Sequence, residues 1–332
     1  MSINPLNRPL FSAGGFRVDR GHMTEPSYLK LLRNGELKIR VQRALDLLKS
    51  CSLCPRECRV NRLEGETGFC RTGRNARVAS HNPHFGEEAP LVGRCGSGTV
   101  FISSCNLLCN FCQNYDISHQ NEGFEVQPET MADMMLQLDE EGCHNINFVT
   151  PTHVLPQILE ALAIAAEKGL RIPLVYNSGG YEKTETLQIL EGVFDIYMPD
   201  FKFWEKRWAE KYCQAPDYRV KAVLAIKEMH RQVGDLMINA QGVALKGLLV
   251  RHLVMPNNIT STERIMAFLA DEVSPETYVN VMDQYRPCGQ AQADDLAGRR
   301  LISHEFRRAL QSAQKAGLRR LDQRTGNRLI LR

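Results

Sequence analysis

Three thiols carry the strongest chemical signal in the chain. Cys105-Asn106-Leu107-Leu108-Cys109-Asn110-Phe111-Cys112 has the spacing CxxxCxxC. Three close thiolates suit an iron–sulfur cluster, whose usual protein complement is four cysteines. Three ligands on four irons leave one iron open, and an open metal position can bind substrate. A structural zinc ion that borrows a distant fourth cysteine is the competing reading, but zinc sites normally draw on two well-separated ligand pairs. Here the triplet stands alone, directly after the apolar run that ends Phe101-Ile102-Ser103-Ser104.

A second group lies upstream: Cys51-x-x-Cys54-x-x-x-Cys58, then Cys70. Four cysteines this close suggest one site, for zinc or a second iron–sulfur cluster. Arg56, Arg59 and Arg62 lie among them and would offset thiolate charge. A second cluster could pass electrons to the first, whereas zinc could only stiffen the segment. Reduced, unliganded thiols are the plainer alternative. Cys95, Cys143, Cys213 and Cys288 have no partner at ligand spacing and read as buried free thiols.

The elements that must hold the triplet follow from periodicity. Residues 1–25 lack any pattern and read as a loose arm. Residues 26–50 carry Leu29, Leu32, Leu37, Val41, Leu45 and Leu48 at helical spacing, and Asn34-Gly35 breaks them into two helices. Residues 51–98 are glycine-rich and irregular, a segment that needs a staple other than an apolar core. From residue 99 short apolar runs alternate with amphipathic segments. The runs are Thr99–Ser103, Asn145–Val149, Ile172–Tyr176, Phe194–Met198, Gly247–Val254 and Thr277–Met282, with helices expected near 128–142, 153–168, 183–191, 217–233 and 260–272. Such alternation predicts a parallel sheet with crossover helices. A closed eight-stranded barrel takes about 250 residues. The shorter stretch here predicts an α/β fold with a partial (β/α)6 barrel over 99–290, behind an N-terminal arm and helices (1–50) and the cysteine-rich module (51–98). A C-terminal extension (291–332) holds a helix near 304–317 and a hairpin around Thr325-Gly326-Asn327.

Composition narrows the class. The chain has 332 residues, and 41 basic against 38 acidic side chains leave a net charge of +3, with no basic stripe of the kind a nucleic-acid partner requires. Arg299, Arg300, Arg307, Arg308, Arg319 and Arg320 read as a solvated helix face. No apolar run is long enough to span a bilayer, and the first thirty residues lack a signal-peptide core. A cytoplasmic protein without a membrane partner is expected. Its 11 cysteines, odd in number and clustered, read as metal ligands rather than disulfides.

Site residues in parallel α/β barrels lie where strands end. The other strand ends are polar: Thr150-Pro151-Thr152-His153, Asn177-Ser178-Gly179-Gly180, Met198-Pro199-Asp200-Phe201-Lys202 and Asp283-Gln284-Tyr285-Arg286. Arg251 and His252 fall inside a strand, where a charge either points into a polar lumen or serves a buried ion pair. Asp200 reads either as a ligand contact or as the cap of a helix carrying Trp204 and Trp208. His153, at a helix start, reads as structural.

The triplet, with Phe111 before its last cysteine, resembles the radical S-adenosylmethionine (SAM) superfamily signature. The resemblance implies a [4Fe–4S] cluster on Cys105, Cys109 and Cys112 that chelates SAM and cleaves it reductively, giving a 5′-deoxyadenosyl radical that abstracts hydrogen. Many members carry a Gly-Gly-Glu stretch where this chain has Thr150 and Thr152, whose oxygens are the acceptors available instead. Asn177-Ser178 with Met198-x-Asp200-x-Lys202 resembles the pyruvate formate-lyase activating enzymes. By that resemblance Ser178 and Asp200 are candidate cation or SAM contacts, and Lys202 a candidate SAM carboxylate or ribose contact. That family has an acidic residue in place of Asn177. With Phe111, Thr150 and Arg251, these are the candidate cofactor-binding residues.

A wider set of matches, Cys54-Pro55-Arg56-x-Cys58, Gly65-Glu66-x-Gly68-Phe69-Cys70, His84-Phe85-Gly86-Glu87-Glu88, Gln113-Asn114-Tyr115-Asp116 and Asp283-Gln284-Tyr285-Arg286-Pro287, resembles the uncharacterised homologues of pyruvate formate-lyase activating enzyme. The implied activity is radical SAM oxidoreductase chemistry fed by a low-potential donor of flavodoxin or ferredoxin type. Its radical acceptor is a glycyl radical enzyme in one reading and a small molecule or nucleotide in a second. A non-catalytic redox or electron-transfer protein is the third, although such a protein has no need of polar strand ends.

Overall fold

The computed structural model describes residues 25–322. Ten strands share one sheet: β1 (Ala76–His84), β2 (Ser97–Ile102), β3 (Phe124–Val126), β4 (Ile146–Val149), β5 (Leu174–Ser178), β6 (Ile196–Pro199), β7 (Met237–Ile238), β8 (Ala244–Leu253), β9 (Tyr278–Met282) and β10 (Arg320–Leu321). Their order is β10-β9-β8-β6-β5-β4-β2-β1-β3, with β7 on the side of β8. The six strands from β2 to β9 are parallel neighbours and coincide with the six apolar runs. β1, β3 and β7 are antiparallel additions. β1 begins inside the cysteine-rich segment and carries it into the sheet. The outermost strands, β10 and β3, do not pair with each other among the described residues. The turn expected at Thr325-Gly326-Asn327 lies outside the described residues.

Helices follow the strands as the periodicity requires. Helix Pro128–Glu140 starts on a proline, which loses nothing at a first turn, and buries Met131, Met134, Met135 and Leu138 at i, i+3, i+4 and i+7. Helix Leu155–Glu167 is buried on nearly every side, because helix Pro128–Glu140 and the N-terminal helices Tyr28–Arg33 and Glu36–Asp46 all pack on it. The N-terminal helices meet at Gly35, whose φ of +80° suits the break. They are tied to the barrel by Ser27, which donates to Asp195, and by Tyr28, which donates to Ile172 O.

Register sorts the inner face into rows. Thr99, Asn147, Val175, Ile196 and Gly247 form one; Phe101, Val149, Asn177 and Met198 form the next; Asp200, Arg251 and Asn280 stand above them, nearer the strand ends. The lower lumen is closed by the short helix Ala89–Val92, whose Leu91 packs with Val175, Ile196, Met198, Leu249 and Tyr278. The lumen is therefore apolar below and charged toward the mouth, a packed core rather than a pore.

Candidate active site

The triplet leaves β2 through Ser104, a residue with φ +70°, and folds back so that the amide of Leu107 donates to Cys105 Sγ at 3.3 Å. Cys109 is buried, while Cys105 and Cys112 are half-buried. The Phe111 ring faces inward, edge-on to Phe203 and Tyr212, and only 4% of the residue is exposed. The ring packs against the cysteine loop from within. Burial pushes the Cys105 thiol up to about 12. Cys109 is also raised well above the ordinary thiol range, first by its hydrogen bond with Cys213 and then by burial. Thiols so placed keep their protons until a metal supplies positive charge, so loading the site releases protons.

Cys213 is the buried free thiol that the sequence suggests, but it has a sulfur neighbour. It is fully buried at the end of helix Lys206–Cys213, and its Sγ lies 3.3 Å from Cys109 Sγ. Nothing in the local spacing joins two residues so far apart in the chain.

Asp200 sits at the end of β6 and does not cap a helix. The helix that follows has Glu205 at its N-cap, and Trp204 precedes it. The Asp200 carboxylate instead accepts from Arg251 Nε at 2.8 Å and pairs with Lys202 Nζ at 2.5 Å. Burial opposes its ionised form, yet Arg251 and Lys202 outweigh it and hold the carboxyl below the usual range. Arg251 also donates to Asn177 Oδ1 at 2.6 Å and lies 3.6 Å from Glu87 Oε2. Both sequence readings of Arg251 therefore hold, since it is a buried ion-pair partner that faces the lumen. Lys202 lies near enough to Cys109 for each charge to bear on the other.

Glu87 and Glu88 enter from the far end of β1. They belong to a motif quoted from the sequence, but nothing there assigned them to this network. Glu88 accepts from Asn280 at 2.9 Å, and burial pushes its carboxyl up to about 7. Ser178 Oγ accepts from the amide of Gly180 at 3.2 Å. Gly180 has φ +75°, and a Cβ there would stand 2.1 Å from Asp200 O, so only glycine permits that approach. Thr152 donates to the buried Glu182, leaving the half-buried Thr150 as the nearer candidate at that strand end. His153, buried, has Nε2 2.9 Å from Ser103 O, the structural part expected of it.

Several buried polar atoms in the lumen lack partners: both side-chain amide atoms of Asn147, Nδ2 of Asn177 and Oε2 of Glu88. Unsatisfied groups of this kind are costly, and ligand sites are where they persist. An amino-acid ligand brings both an ammonium and a carboxylate, and this lumen offers acceptors, donors and two cations for them. Three thiols with a charged rim and orphaned amides suit a cluster-bound amino-acid cofactor. A separate cavity of about 860 Å³ lies at the opposite ends of the strands, against Ala244 and Arg320, and shares no residue with this site.

The four upstream cysteines line one small cavity with Arg56, Arg62, Gly68 and His153. Arg62, only 1% exposed, donates to His153 O at 2.8 Å and approaches Cys51 Sγ at 3.9 Å. Among the described residues no three Cys, His, Asp or Glu side chains gather at the spacing of a single metal ion.

Residues 99–269 match the sequence pattern of the radical SAM superfamily. An uncharacterized protein of Methanocaldococcus jannaschii, MJ0674, is 34% identical over 300 residues, covering 87% of this chain and 82% of that protein. A second from the same organism, MJ0808, is 26% identical over 247 residues, covering 68% of each. Among solved structures, methylornithine synthase (PylB) aligns with 88% of this chain and 84% of its own at 16% identity, with a TM-score of 0.41. No helix among the described residues is long and apolar enough to cross a membrane.

Proposed function

This chain belongs to the radical SAM superfamily, and from that premise we propose that it cleaves SAM reductively and uses the product to abstract hydrogen from a partner protein, as an activase for a glycyl radical enzyme. The family implies a [4Fe–4S] cluster and SAM. Bound there, the pair supplies reductive cleavage of the sulfonium carbon–sulfur bond. Cys105, Cys109 and Cys112 would hold the cluster. Lys202, close to Cys109, would receive the SAM carboxylate, with Asp200 and Arg251 fixing its orientation. Asn177 and Asn147 offer unused amide groups, and Thr150 and Ser178 offer oxygens for the remaining polar contacts. Phe111 and its aromatic neighbours keep water from beneath the loop, which strengthens every charge interaction above it.

The observation that carries the reading is the meeting of Cys109 with the Lys202–Asp200–Arg251 network at the strand ends. The activase half draws support from the Met198-x-Asp200-x-Lys202 pattern and from edge strands β10 and β3 that do not pair with each other among the described residues. An electron donor of flavodoxin or ferredoxin type and a cytoplasmic setting belong to the same proposal.

The test is anaerobic. The cluster is reconstituted and reduced, SAM is added and 5′-deoxyadenosine is measured. Wild type is expected to form it and Cys105→Ala to form none; equal yields would refute SAM cleavage at this site. Incubation with glycyl radical enzymes from the source genome should give the radical doublet in electron paramagnetic resonance. A genome encoding no such enzyme would refute the activase half and turn attention to a small-molecule acceptor.

A further inference from the structure

Between Asp46 and Ala76 the only helical or strand element is the short turn Arg62–Glu64. The apolar cluster there amounts to Leu48, Cys51 and Leu53, with Val60 beside it. A stretch of this length with so little core needs another fixture. The backbone has instead been shaped around sulfur. Phe69 N–H donates to Cys58 Sγ at 3.3 Å, and the Arg56 amide donates to Cys54. Glu57 and Arg59, on either side of Cys58, and Arg71, after Cys70, all take positive φ. A Cβ on Gly68 would fall 2.6 Å from Cys58 Sγ. Amide donors aimed at sulfur are what thiolate ligands need, and the buried Arg62 guanidinium beside Cys51 offsets their charge.

One side chain joins this cavity to the triplet. Arg56 donates to Asn106 O at 3.0 Å, next to Cys105, and to Cys213 O at 2.9 Å, whose sulfur touches Cys109. It also stacks on Phe69, 3.8 Å from the ring centre.

We propose that Cys51, Cys54, Cys58 and Cys70 hold a second [4Fe–4S] cluster, through which electrons enter the first. The four cysteines line one shared cavity, and four thiolates can each take a different iron of a cubane. The Arg56 bridge to the triplet favours the cluster over zinc, since zinc could pass no electron. One electron would pass from an external low-potential protein donor to this cluster, then to the first, which spends it on the sulfonium. Cys58 alone of the four is half-buried rather than buried, so the donor would dock on its side. The proposal rests on the SAM-cleavage reading for its direction of flow, while the metal content stands apart from it.

Two variants test it after anaerobic reconstitution. With both clusters filled, wild type should hold about eight irons and eight sulfides per chain. Cys105→Ala/Cys109→Ala/Cys112→Ala, which leaves the upstream thiols intact, should keep about four, with a reduced-cluster resonance of its own. One zinc and no iron in that triple variant, or only about four irons in wild type, would overturn the assignment. In Cys58→Ser, SAM cleavage driven by a reduced flavodoxin should fall at least tenfold, while cleavage driven by dithionite, which reaches the first cluster directly, should largely persist. Equal loss with both reductants would leave the metal in place and overturn the relay.

Discussion

Arg251→Met removes the one guanidinium that Asp200, Asn177 and Glu87 share. Arg251 is 17% exposed and Asp200 14%, so solvent does little to repair the loss. Lys202 remains beside Asp200, but Glu87 and Glu88 are left in the lumen without the cation that faces them. Removing one partner of a buried ion pair costs about 3–5 kcal/mol. In a chain this long that corresponds to a melting point lower by roughly 4–7 °C. The deficit should depend on pH. In wild type the Asp200 carboxyl is held low, so its contribution is present above the unfolded value and lost as pH falls through the folded one. The variant's carboxylates rise instead and take up protons in the folded state as pH drops from 8 toward 5, so the gap between the two proteins should narrow over that range. Urea unfolding at several pH values, done anaerobically, measures this. Asp200→Asn combined with Arg251→Met should cost less than the sum of the single changes by about 1–3 kcal/mol. A single-variant cost below about 1 kcal/mol, or strict additivity with Asp200→Asn, would refute the view that these groups act as one unit.

Other outcomes follow from single contacts. Glu182 is buried with its carboxyl pushed up to about 7, by burial first and despite hydrogen bonds from Thr152 and Tyr176. Its contribution is complete below the unfolded value of 4.5 and is lost as pH rises through 7. Relative to Glu182→Gln, wild type should therefore weaken by about 3 kcal/mol between pH 4 and 8 in chemical denaturation, and a flat difference would count against the buried carboxyl. Cys213→Ala removes the thiol that faces Cys109, so the midpoint potential of the first cluster should fall by a few tens of millivolts, where about 59 mV is a tenfold shift in a one-electron equilibrium. Cys213→Ser should restore part of it, and an unchanged potential would make the contact mere packing. Gly180→Ala should cost about 3 kcal/mol or more by urea midpoint, from positive φ and collision with Asp200 O together, while Gly179→Ala, whose nearest neighbour is Leu107 at 3.3 Å, should cost far less.

The six barrel strands were legible because parallel strands buried on both faces read as unbroken apolar runs. The intervening helices were legible because their buried residues recur at i, i+3 and i+4, as Met131, Met135 and Leu138 do. Asn34-Gly35 announced its break through chemistry that only glycine supplies. The triplet was legible because its cysteines lie close together in the chain. Glu87, Glu88 and Cys213 were not legible in the same way. Each reaches the site by tertiary packing, from the opposite end of β1 or the end of a later helix, and no local period records that. Asp200 stood between two roles in the sequence because its partner Arg251 is fifty-one residues away.

Helix Leu155–Glu167 carries a further implication. Leu155, Ile158, Leu159, Ala161, Leu162, Ala165 and Ala166 cover nearly half of its circumference, Pro156 and Gln157 are buried as well, and only the side of Glu160 and Glu167 is suited to water. The stretch that matches the superfamily pattern contains this helix but not Tyr28–Arg33 or Glu36–Asp46, which cover it, nor β1, which flanks β2. A fragment trimmed to 99–269 would present a greasy ridge beside a bare strand edge, the two surfaces from which aggregates grow. The stretch that matches the superfamily is thus a guest in a larger envelope. Its cover against aggregation is written in residues outside the matched stretch.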